Sequence, residues 1–199
     1  LEKIAINKVL ESNFWASGAG NGNVKKFEEK FSKYVNSKSS VAVNSGTAAL
    51  NLALSMYDIK NREVILPSLS FVATANAIVE NGGIPKFVDI DESTLCIDPK
   101  KILDSITNKT KIILPVHFGG FSSDLAEISK ICKKNKIHLI EDAAHSTGAT
   151  YKNKKIGSHG DLVCFSFHPV KNLAMPTGGL ISINSKNYKK IEKILKEKR

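Results

Sequence analysis

The chain alternates short apolar runs with helix-forming segments along most of its length, and this alternation limits the folds that it can adopt. The apolar runs predict seven strands: Ser40–Val43, Glu63–Leu66, Pro85–Val88, Lys111–Val116, Ile137–Ile140, Leu162–Phe167 and Leu180–Ile183. Helical spacing predicts helices over residues 1–12 and 24–35, and over Thr47–Met56, Val72–Asn81, Pro99–Ile106, Ser123–Lys134 and Lys186–Lys198. Because parallel strands need crossover helices, we expect one α/β domain: a three-layer structure with a mostly parallel seven-stranded sheet and helices on both faces.

The composition is that of a globular protein. The chain has 199 residues, of which 42% are hydrophobic, enough for one sizeable core. No apolar run approaches the roughly 20 residues of a membrane-spanning helix, and the first residues lack the basic-then-apolar order of a signal peptide. The three cysteines are widely spaced and odd in number, which favours reduced thiols in a cytoplasmic protein over disulfides or a metal site. The chain does not begin with Met, so we expect a fragment.

The charge is strongly positive but carried by lysine. The net charge is +10, and among the 29 basic residues only Arg62 and Arg199 are arginines. Proteins that read nucleic-acid bases rely on arginine forks. We therefore expect a solvated lysine surface that attracts anionic small molecules, rather than nucleic-acid binding.

The stretch from Gly160 to Gly179 carries the most reactive candidate residue. The predicted strand Leu162–Phe167 is ended by Pro169, and Lys171 follows on a loop before the next apolar run. A lysine held between two buried strands is poorly solvated, which favours its free amine. Such an amine can form a Schiff base with an aldehyde cofactor. Taken alone, the stretch also allows an ordinary surface lysine.

Three further strand ends carry polar or aromatic candidates. Ser45–Thr47 opens an alanine-rich helix, where free N–H groups and the helix dipole suit a phosphate. Asp142 ends a strand, and a carboxylate there can hold a proton on a pyridine nitrogen. Phe71 lies between a strand and a helix, where its ring could cover a flat ligand. The alternatives are an ordinary capped helix for Ser45–Thr47, a helix cap or a salt bridge for Asp142, and a core phenylalanine for Phe71.

The order of these motifs resembles one enzyme family. The chain is similar to the sugar aminotransferases of the DegT/DnrJ/EryC1/StrS family, which are pyridoxal-phosphate enzymes of fold type I with an aspartate-aminotransferase-like architecture. The resemblance covers nearly the whole chain and rests on an ordered set of motifs: Asn44-Ser-Gly-Thr-Ala-Ala-Leu50, Ser70-Phe-Val-Ala-Thr-Ala-Asn76, Val88-Asp-Ile-Asp91, Pro115-Val-His117, Glu141-Asp-Ala-Ala-His145 and Phe165-Ser-Phe-His-Pro-Val-Lys-Asn172.

The resemblance implies catalytic roles for three residues. Lys171 matches the lysine that forms the Schiff base with the cofactor, and Asp142 matches the partner of the pyridinium nitrogen. His145 matches a position near the phenolic oxygen of the cofactor ring. His117 and His168 also lie in motif stretches, and structural hydrogen bonding is the alternative for both.

The resemblance also implies a cofactor-binding set. Gly46 and Thr47 match the turn that cradles the phosphate, and Ser166 matches a hydroxyl that reaches the same phosphate. Phe71 matches the aromatic residue that stacks on the cofactor ring. No metal is expected.

The implied activity is transfer of an amino group, from glutamate, to a keto sugar linked to a nucleotide. The family resemblance also implies a homodimer. From the cysteines, the charge and the apolar runs described above, we expect a cytoplasmic protein that binds neither nucleic acid nor membrane. Family members continue into a small C-terminal domain, so residues 1–199 are predicted to be the cofactor-binding large domain alone. A deoxysugar dehydratase of the same fold is an alternative, but that branch carries histidine where this chain has Lys171. A non-catalytic binding domain is a second alternative.

One loop departs from the family sequence, and one further segment outside the motifs is a candidate for substrate contact. After the lysine the family has a glycine-acid-glycine-glycine sequence, whereas this chain has Pro176 and Thr177 before its glycine pair. Proline fixes φ and removes a donor, so the loop and its substrate contacts are expected to differ. The glycine-rich stretch Trp15–Asn23 is a candidate substrate contact, with a plain connecting loop as the alternative.

Overall fold

The computed structural model describes residues 1–13 and 22–199, in which helices and strands alternate as predicted. The helices are α1 (Glu2–Glu11), α2 (Asn23–Val35), α3 (Gly46–Leu54), α4 (Val72–Glu80), α5 (Pro99–Ser105), α6 (Leu125–Asn135) and α7 (Tyr188–Lys198). The strands are β1 (Ser39–Val43), β2 (Glu63–Pro67), β3 (Ile84–Val88), β4 (Thr110–Ile113), β5 (His138–Asp142), β6 (Thr150–Tyr151), β7 (Lys154–Lys155), β8 (Leu162–Ser166) and β9 (Gly179–Ile183). A short 3-10 turn covers Phe118–Gly120.

The predicted mostly parallel, seven-stranded sheet is confirmed. Its strand order is β1-β9-β8-β5-β4-β2-β3. The pairs β2–β3, β2–β4, β4–β5 and β5–β8 are parallel. Strand β9 runs antiparallel to both of its neighbours, β8 and β1. Strands β8 and β9 are therefore connected by a loop at one end of the sheet, and this loop carries Lys171.

Helices cover both faces of the sheet, and the strand residues alternate between the two sides. In β2, Val64 and Leu66 pack with α3 and α4, whereas Ile65 packs on the other side with α5 and α6. In β8, Cys164 joins the first side and Phe165 packs towards α2. Because successive side chains of a strand point to opposite faces, one buried apolar run supplies two cores. The three-layer prediction is confirmed.

The largest boundary differences occur at two neighbouring strands. The ladder of β4 ends at Ile113 instead of the predicted Val116, because Pro115 has no amide hydrogen to donate. The carbonyl of Pro115 instead accepts a hydrogen bond from the amide of Asp142 at 2.9 Å. That bond continues β5 past the predicted end at Ile140. Asp142 is therefore a strand residue with a fixed backbone.

A separate two-stranded hairpin, β6 with β7, was not predicted from the sequence. Each strand has two residues, too few to show an alternating pattern. The turn between them contains Lys152 and Asn153, both with positive φ. A lysine in that conformation gives no turn signal, and the sequence therefore does not indicate this hairpin.

The three cysteines lie in the interior of the protein as free thiols. Cys96, Cys132 and Cys164 are all buried and unpaired. Burial raises the pKa of the Cys132 thiol to about 12, so it stays protonated at neutral pH. Across residues 1–13 and 22–199, the helices lack the combination of length and apolar character needed to cross a bilayer.

Candidate functional site

A pocket of about 450 Å³ opens at the carboxyl edge of the parallel strands, where α/β proteins bind ligands. Its lining comes from the segments that follow β1, β2, β4, β5 and β8. Every site residue predicted from the sequence is on its wall: Gly46, Thr47, Phe71, Asp142, His145, Ser166 and Lys171. The fold thus brings together candidates that are spread over more than half of the chain.

Asp142 is the most buried charged group of the pocket, with 4% of its surface exposed. One carboxylate oxygen accepts a hydrogen bond from the hydroxyl of Thr74 at 2.7 Å. The other accepts from the amide of Ala144 at 3.1 Å. These two donors hold the carboxylate in one orientation at the end of β5, facing the pocket.

The start of α3 forms a second wall of the pocket. Ser45 caps this helix by accepting a hydrogen bond from the amide of Ala48 at 3.1 Å. Gly46 is the first helical residue, and a Cβ placed on it would lie 2.7 Å from the Cβ of Ser166. Only glycine allows this close approach. The helix N-terminus and the Ser166 hydroxyl consequently lie side by side, an arrangement that suits an anion.

Lys171 lies on the loop between β8 and β9 and lines the pocket. Its amide donates to the carbonyl of His168 at 2.8 Å. It is half-buried, and its neighbours at 168–170 and 172–174 are exposed. The expectation of a lysine enclosed between two buried strands is therefore wrong: the loop extends past the sheet edge, and the amine faces the pocket instead of the core.

Phe71 is exposed over 70% of its surface, although it is a large apolar residue. It precedes the first residue of α4 and lines the pocket. The alternative of a core phenylalanine is therefore excluded. An exposed aromatic face at the wall of a pocket is the kind of surface that a flat ligand can cover.

His145 is half-buried on the segment after β5. Its Nδ1 accepts a hydrogen bond from the amide of Gly119 at 3.3 Å. Burial lowers the pKa of His145, and the positive charge of Lys171 lowers it further, against an opposing effect of Asp142. The imidazole is therefore neutral at pH 7, with its proton on Nε2.

The two remaining motif histidines differ from each other. His117 has no exposed surface and does not line the pocket. Its Nε2 lies 2.9 Å from a carboxylate oxygen of Glu141, so its role is structural. His168 is exposed and lines the pocket, and its Nδ1 accepts from the amide of Val170 at 3.4 Å.

Two hydrogen bonds made by pocket residues were missed by sequence reasoning. Thr74 lies 68 positions from Asp142 in the chain, so no local pattern indicates their hydrogen bond. Thr177 lines the pocket, and its hydroxyl donates to the carbonyl of Asn44 at 2.6 Å. The sequence showed that Thr177 departs from the family pattern, but it did not indicate the hydrogen bond to Asn44.

The glycine-rich candidate segment is only partly described. Its residues 15–21 lie outside the described residues, and Gly22 and Asn23 form the start of α2. In the part of the chain that the structure covers, no group of three or more His, Cys, Asp or Glu side chains is arranged to hold a metal ion.

The residues of the pocket match the chemistry of a flat, phosphorylated aldehyde such as pyridoxal phosphate. The α3 N-terminus and Ser166 suit its phosphate, since both offer hydrogen-bond donors. The fixed carboxylate of Asp142 suits a protonated ring nitrogen. Phe71 offers an aromatic face, and Lys171 offers a primary amine that could bind the aldehyde.

Comparison with known proteins gives the same family. The profile of the DegT/DnrJ/EryC1/StrS aminotransferase family matches residues 2–198. The spore coat polysaccharide biosynthesis protein SpsC of Bacillus subtilis is 44% identical over 178 residues, which are 89% of this chain and 45% of SpsC. The chain thus spans about half the length of the curated relatives it matches.

Solved structures agree in fold. Helicobacter pylori PseC, an aminotransferase involved in the biosynthesis of pseudoaminic acid, superposes with a TM-score of 0.89 at 30% identity, over 96% of this chain and 52% of PseC. Spr1654 of Streptococcus pneumoniae in its PLP form superposes with a TM-score of 0.91 at 30% identity, over 98% of this chain and 53% of Spr1654.

Proposed function

Because the chain belongs to the DegT/DnrJ/EryC1/StrS aminotransferase family, we propose that it is the cofactor-binding domain of a pyridoxal-phosphate-dependent aminotransferase. One observation carries the proposal. A lysine amine, a fixed buried carboxylate and a helix N-terminus line the same pocket. Spr1654, which superposes on this chain, is known in a PLP form, and this supports the choice of cofactor.

Each residue of the pocket has a separate task in this proposal. Bound pyridoxal phosphate supplies an aldehyde and an electron-withdrawing ring. Nζ of Lys171 is the amine that would bind the aldehyde, and, once the amine of the donor has displaced it, Nζ would carry a proton to and from the α-carbon of the donor. Asp142 holds the proton of the ring nitrogen. Phe71 covers one face of the ring.

The remaining residues orient the cofactor. Gly46 and Thr47 bind the phosphate through the amides at the start of α3, and Ser166 binds it through its hydroxyl. His145 is neutral, since its pKa is lowered. Its Nδ1 already accepts from Gly119, so its Nε2–H is the group available to donate to the phenolic oxygen of the ring.

The proposed acceptor is a keto sugar linked to a nucleotide, and the proposed donor is glutamate. The identity to SpsC, a spore coat polysaccharide biosynthesis protein, supports a role in polysaccharide or amino-sugar synthesis. The net charge of +10 favours an anionic substrate such as a nucleotide sugar. The presence of Lys171 argues against the deoxysugar dehydratase alternative, whose members have histidine there.

We further propose that the complete protein is a cytoplasmic homodimer in which a small C-terminal domain completes the site. The chain spans about half the length of its relatives, which supports a missing second part. A cofactor pocket alone does not orient a nucleotide sugar, and reactants that are not oriented lose most of the rate advantage of proximity. We therefore expect residues 1–199 alone to be inactive.

Labelling of the lysine tests the central claim. The complete protein is loaded with pyridoxal phosphate, reduced with borohydride and digested for peptide mapping. We expect the label on Lys171 in the wild type and in Lys100→Ala, which changes an exposed lysine of α5. Lys171→Ala should carry no label. A label on another lysine, or none in the wild type, would contradict the proposal.

An activity assay tests the substrate. Glutamate and a nucleotide-linked keto sugar are supplied to the complete protein and to residues 1–199 side by side. Turnover by the complete protein alone is the expected result. Rapid turnover by a monomeric 199-residue chain would contradict the domain proposal. A complete protein that aminates only simple keto acids would contradict the sugar assignment.

A further inference from the structure

The hydroxyl of Thr74 makes a buried hydrogen bond to the carboxylate of Asp142. The Oγ1 atom lies 2.7 Å from Oδ2, and Thr74 has no exposed surface. A threonine hydroxyl has one proton, and here an ionised acceptor lies within reach of it. Hydrogen bonds to charged groups are the strong ones, and a buried donor cannot be replaced by solvent.

This hydrogen bond restrains the side-chain carboxylate of Asp142, whose orientation the backbone hydrogen bonds do not fix. The amide of Asp142 donates to Pro115 at 2.9 Å, and its carbonyl accepts from the amide of His117 at 3.1 Å. The main chain is thus fixed on both sides. Rotation of the carboxylate is restrained only by Ala144 and Thr74 within the described contacts.

Thr74 also connects two surfaces of the pocket. It lies in the first turn of α4, and its amide donates to the carbonyl of Phe71 at 2.9 Å. Phe71 directly precedes that helix and exposes its ring to the pocket. The Thr74 hydroxyl therefore ties the start of α4, and with it the position of the Phe71 ring, to the end of β5.

We propose that Thr74 is a positioning residue of the cofactor site. Its hydroxyl holds the Asp142 carboxylate in the orientation that meets the ring nitrogen. Through the start of α4 it also fixes the distance between the Phe71 ring and that carboxylate. The first-turn location reinforces this, because the positive end of the α4 dipole lies beside the carboxylate. The inference rests on the proposed function, since it presupposes that the pocket binds pyridoxal phosphate.

The test uses the complete protein in its apo form and two probes. One probe is pyridoxal phosphate, and the other is its analogue with carbon in place of the ring nitrogen. The ratio of the two dissociation constants measures the contact between Asp142 and the ring nitrogen. We expect the wild type to prefer pyridoxal phosphate. In Thr74→Val this preference should fall about tenfold, the size of one hydrogen bond to a charged group.

Two controls separate positioning from a general loss of structure. Thr74→Ser keeps the donor and should keep the preference. Thr110→Val removes another buried threonine that donates to a carboxylate, that of Glu63 at 3.1 Å, outside the pocket. It should lower stability but leave the preference unchanged. Valine places a methyl group where the hydroxyl of Thr74 lies, beside the carboxylate. Thr74→Ala removes the hydroxyl without adding that methyl group and serves if the valine variant fails to fold.

The outcomes are distinguishable. If the wild type prefers pyridoxal phosphate and Thr74→Val and Thr74→Ala keep that preference, the role of Thr74 is overturned while the proposed function stands. If the wild type binds no pyridoxal phosphate, the proposed function is overturned, and the role of Thr74 with it. A preference lost in Thr74→Val and Thr74→Ala and retained in Thr74→Ser and Thr110→Val supports the inference.

Discussion

The Nε2 atom of His117 lies 2.9 Å from a carboxylate oxygen of Glu141, and neither side chain has any exposed surface. The amide of Ser123 donates to Nδ1 of the same ring at 3.1 Å, so the ring proton is on Nε2 and is donated to Glu141. The amide of Gly160 donates to the other oxygen of this carboxylate. Glu141 directly precedes Asp142, so this network holds β5 from the side opposite the pocket.

Removal of this histidine is expected to destabilise the protein strongly. In His117→Ala a buried carboxylate loses a hydrogen-bond donor that solvent cannot replace, which costs about 3 kcal/mol of unfolding free energy because the acceptor is charged. The matched control is His138→Ala, whose histidine lies 3.4 Å from Asp161 in a half-exposed pair and contributes about 0–1 kcal/mol. Urea denaturation of the complete apo protein measures both values. Equal losses in the two variants would contradict the structural role of His117.

The close approach of Gly46 to Ser166 predicts a sensitive position. In Gly46→Ala the new Cβ would lie 2.7 Å from the Cβ of Ser166, so α3 or β8 must shift. We expect loss of about 1–3 kcal/mol of stability and weaker binding of pyridoxal phosphate. Gly83→Ala makes a similarly close contact, 2.9 Å from Ile78, outside the pocket. Gly83→Ala should lower stability without weakening the binding of pyridoxal phosphate. Unchanged cofactor affinity in Gly46→Ala would argue against the phosphate site.

The charges around His145 predict two opposite shifts of its pKa. The positive charge of Lys171 lowers this pKa and the negative charge of Asp142 raises it. In the apo protein, Lys171→Ala should therefore raise the pKa of His145, and Asp142→Asn should lower it. Histidine titration by NMR measures both shifts.

The same lowered pKa predicts how stability depends on pH. Below about pH 6.5 the unfolded chain binds a proton at His145 before the folded chain does. This histidine therefore makes the apo protein less stable as the pH falls through that range. His145→Gln removes the contribution, so its melting temperature should fall less between about pH 7 and pH 5 than that of the wild type. An equal fall in both proteins would contradict a lowered pKa.

Asp142 is expected to act through its charge. Asp142→Asn keeps the shape of the side chain but loses the carboxylate that holds the ring proton. Binding of pyridoxal phosphate should survive, while transamination falls by about two orders of magnitude or more. Absorbance titration and a steady-state assay measure the two quantities. Near-normal turnover of the asparagine variant would refute the role of this carboxylate.

Thr177, which stands where the family has an acidic residue, is expected to hold the loop through its hydroxyl. Its hydroxyl donates to the carbonyl of Asn44 and closes the loop that carries Lys171. A carboxylate cannot donate to a carbonyl. Thr177→Glu and Thr177→Val should therefore both speed hydrogen exchange of residues 168–178, whereas Thr177→Ser should not. Equal exchange in all four proteins would show that the hydroxyl does not hold the loop.

The sequence alone determined the helices, the seven strands of the main sheet and seven of the residues that line the pocket. Apolar periodicity reports which side chains face a core, and the predicted strands agree with the structure to within three residues at each end. The carboxyl ends of parallel strands meet at one edge, so Asp142 and Phe71 could be assigned to one site before any contact was known. The ordered motifs added the resemblance to a family.

Only the tertiary structure decided how those elements contact one another. The antiparallel insertion of β9 between β1 and β8, the hydrogen bond from Thr74 to Asp142 and the half-exposed setting of Lys171 have no local signal. Periodicity states that a residue is buried, but its hydrogen-bond partner depends on strand order and on the direction of each loop. Those are set by the packing of the whole chain, because a buried donor is satisfied by whichever acceptor the fold brings near it.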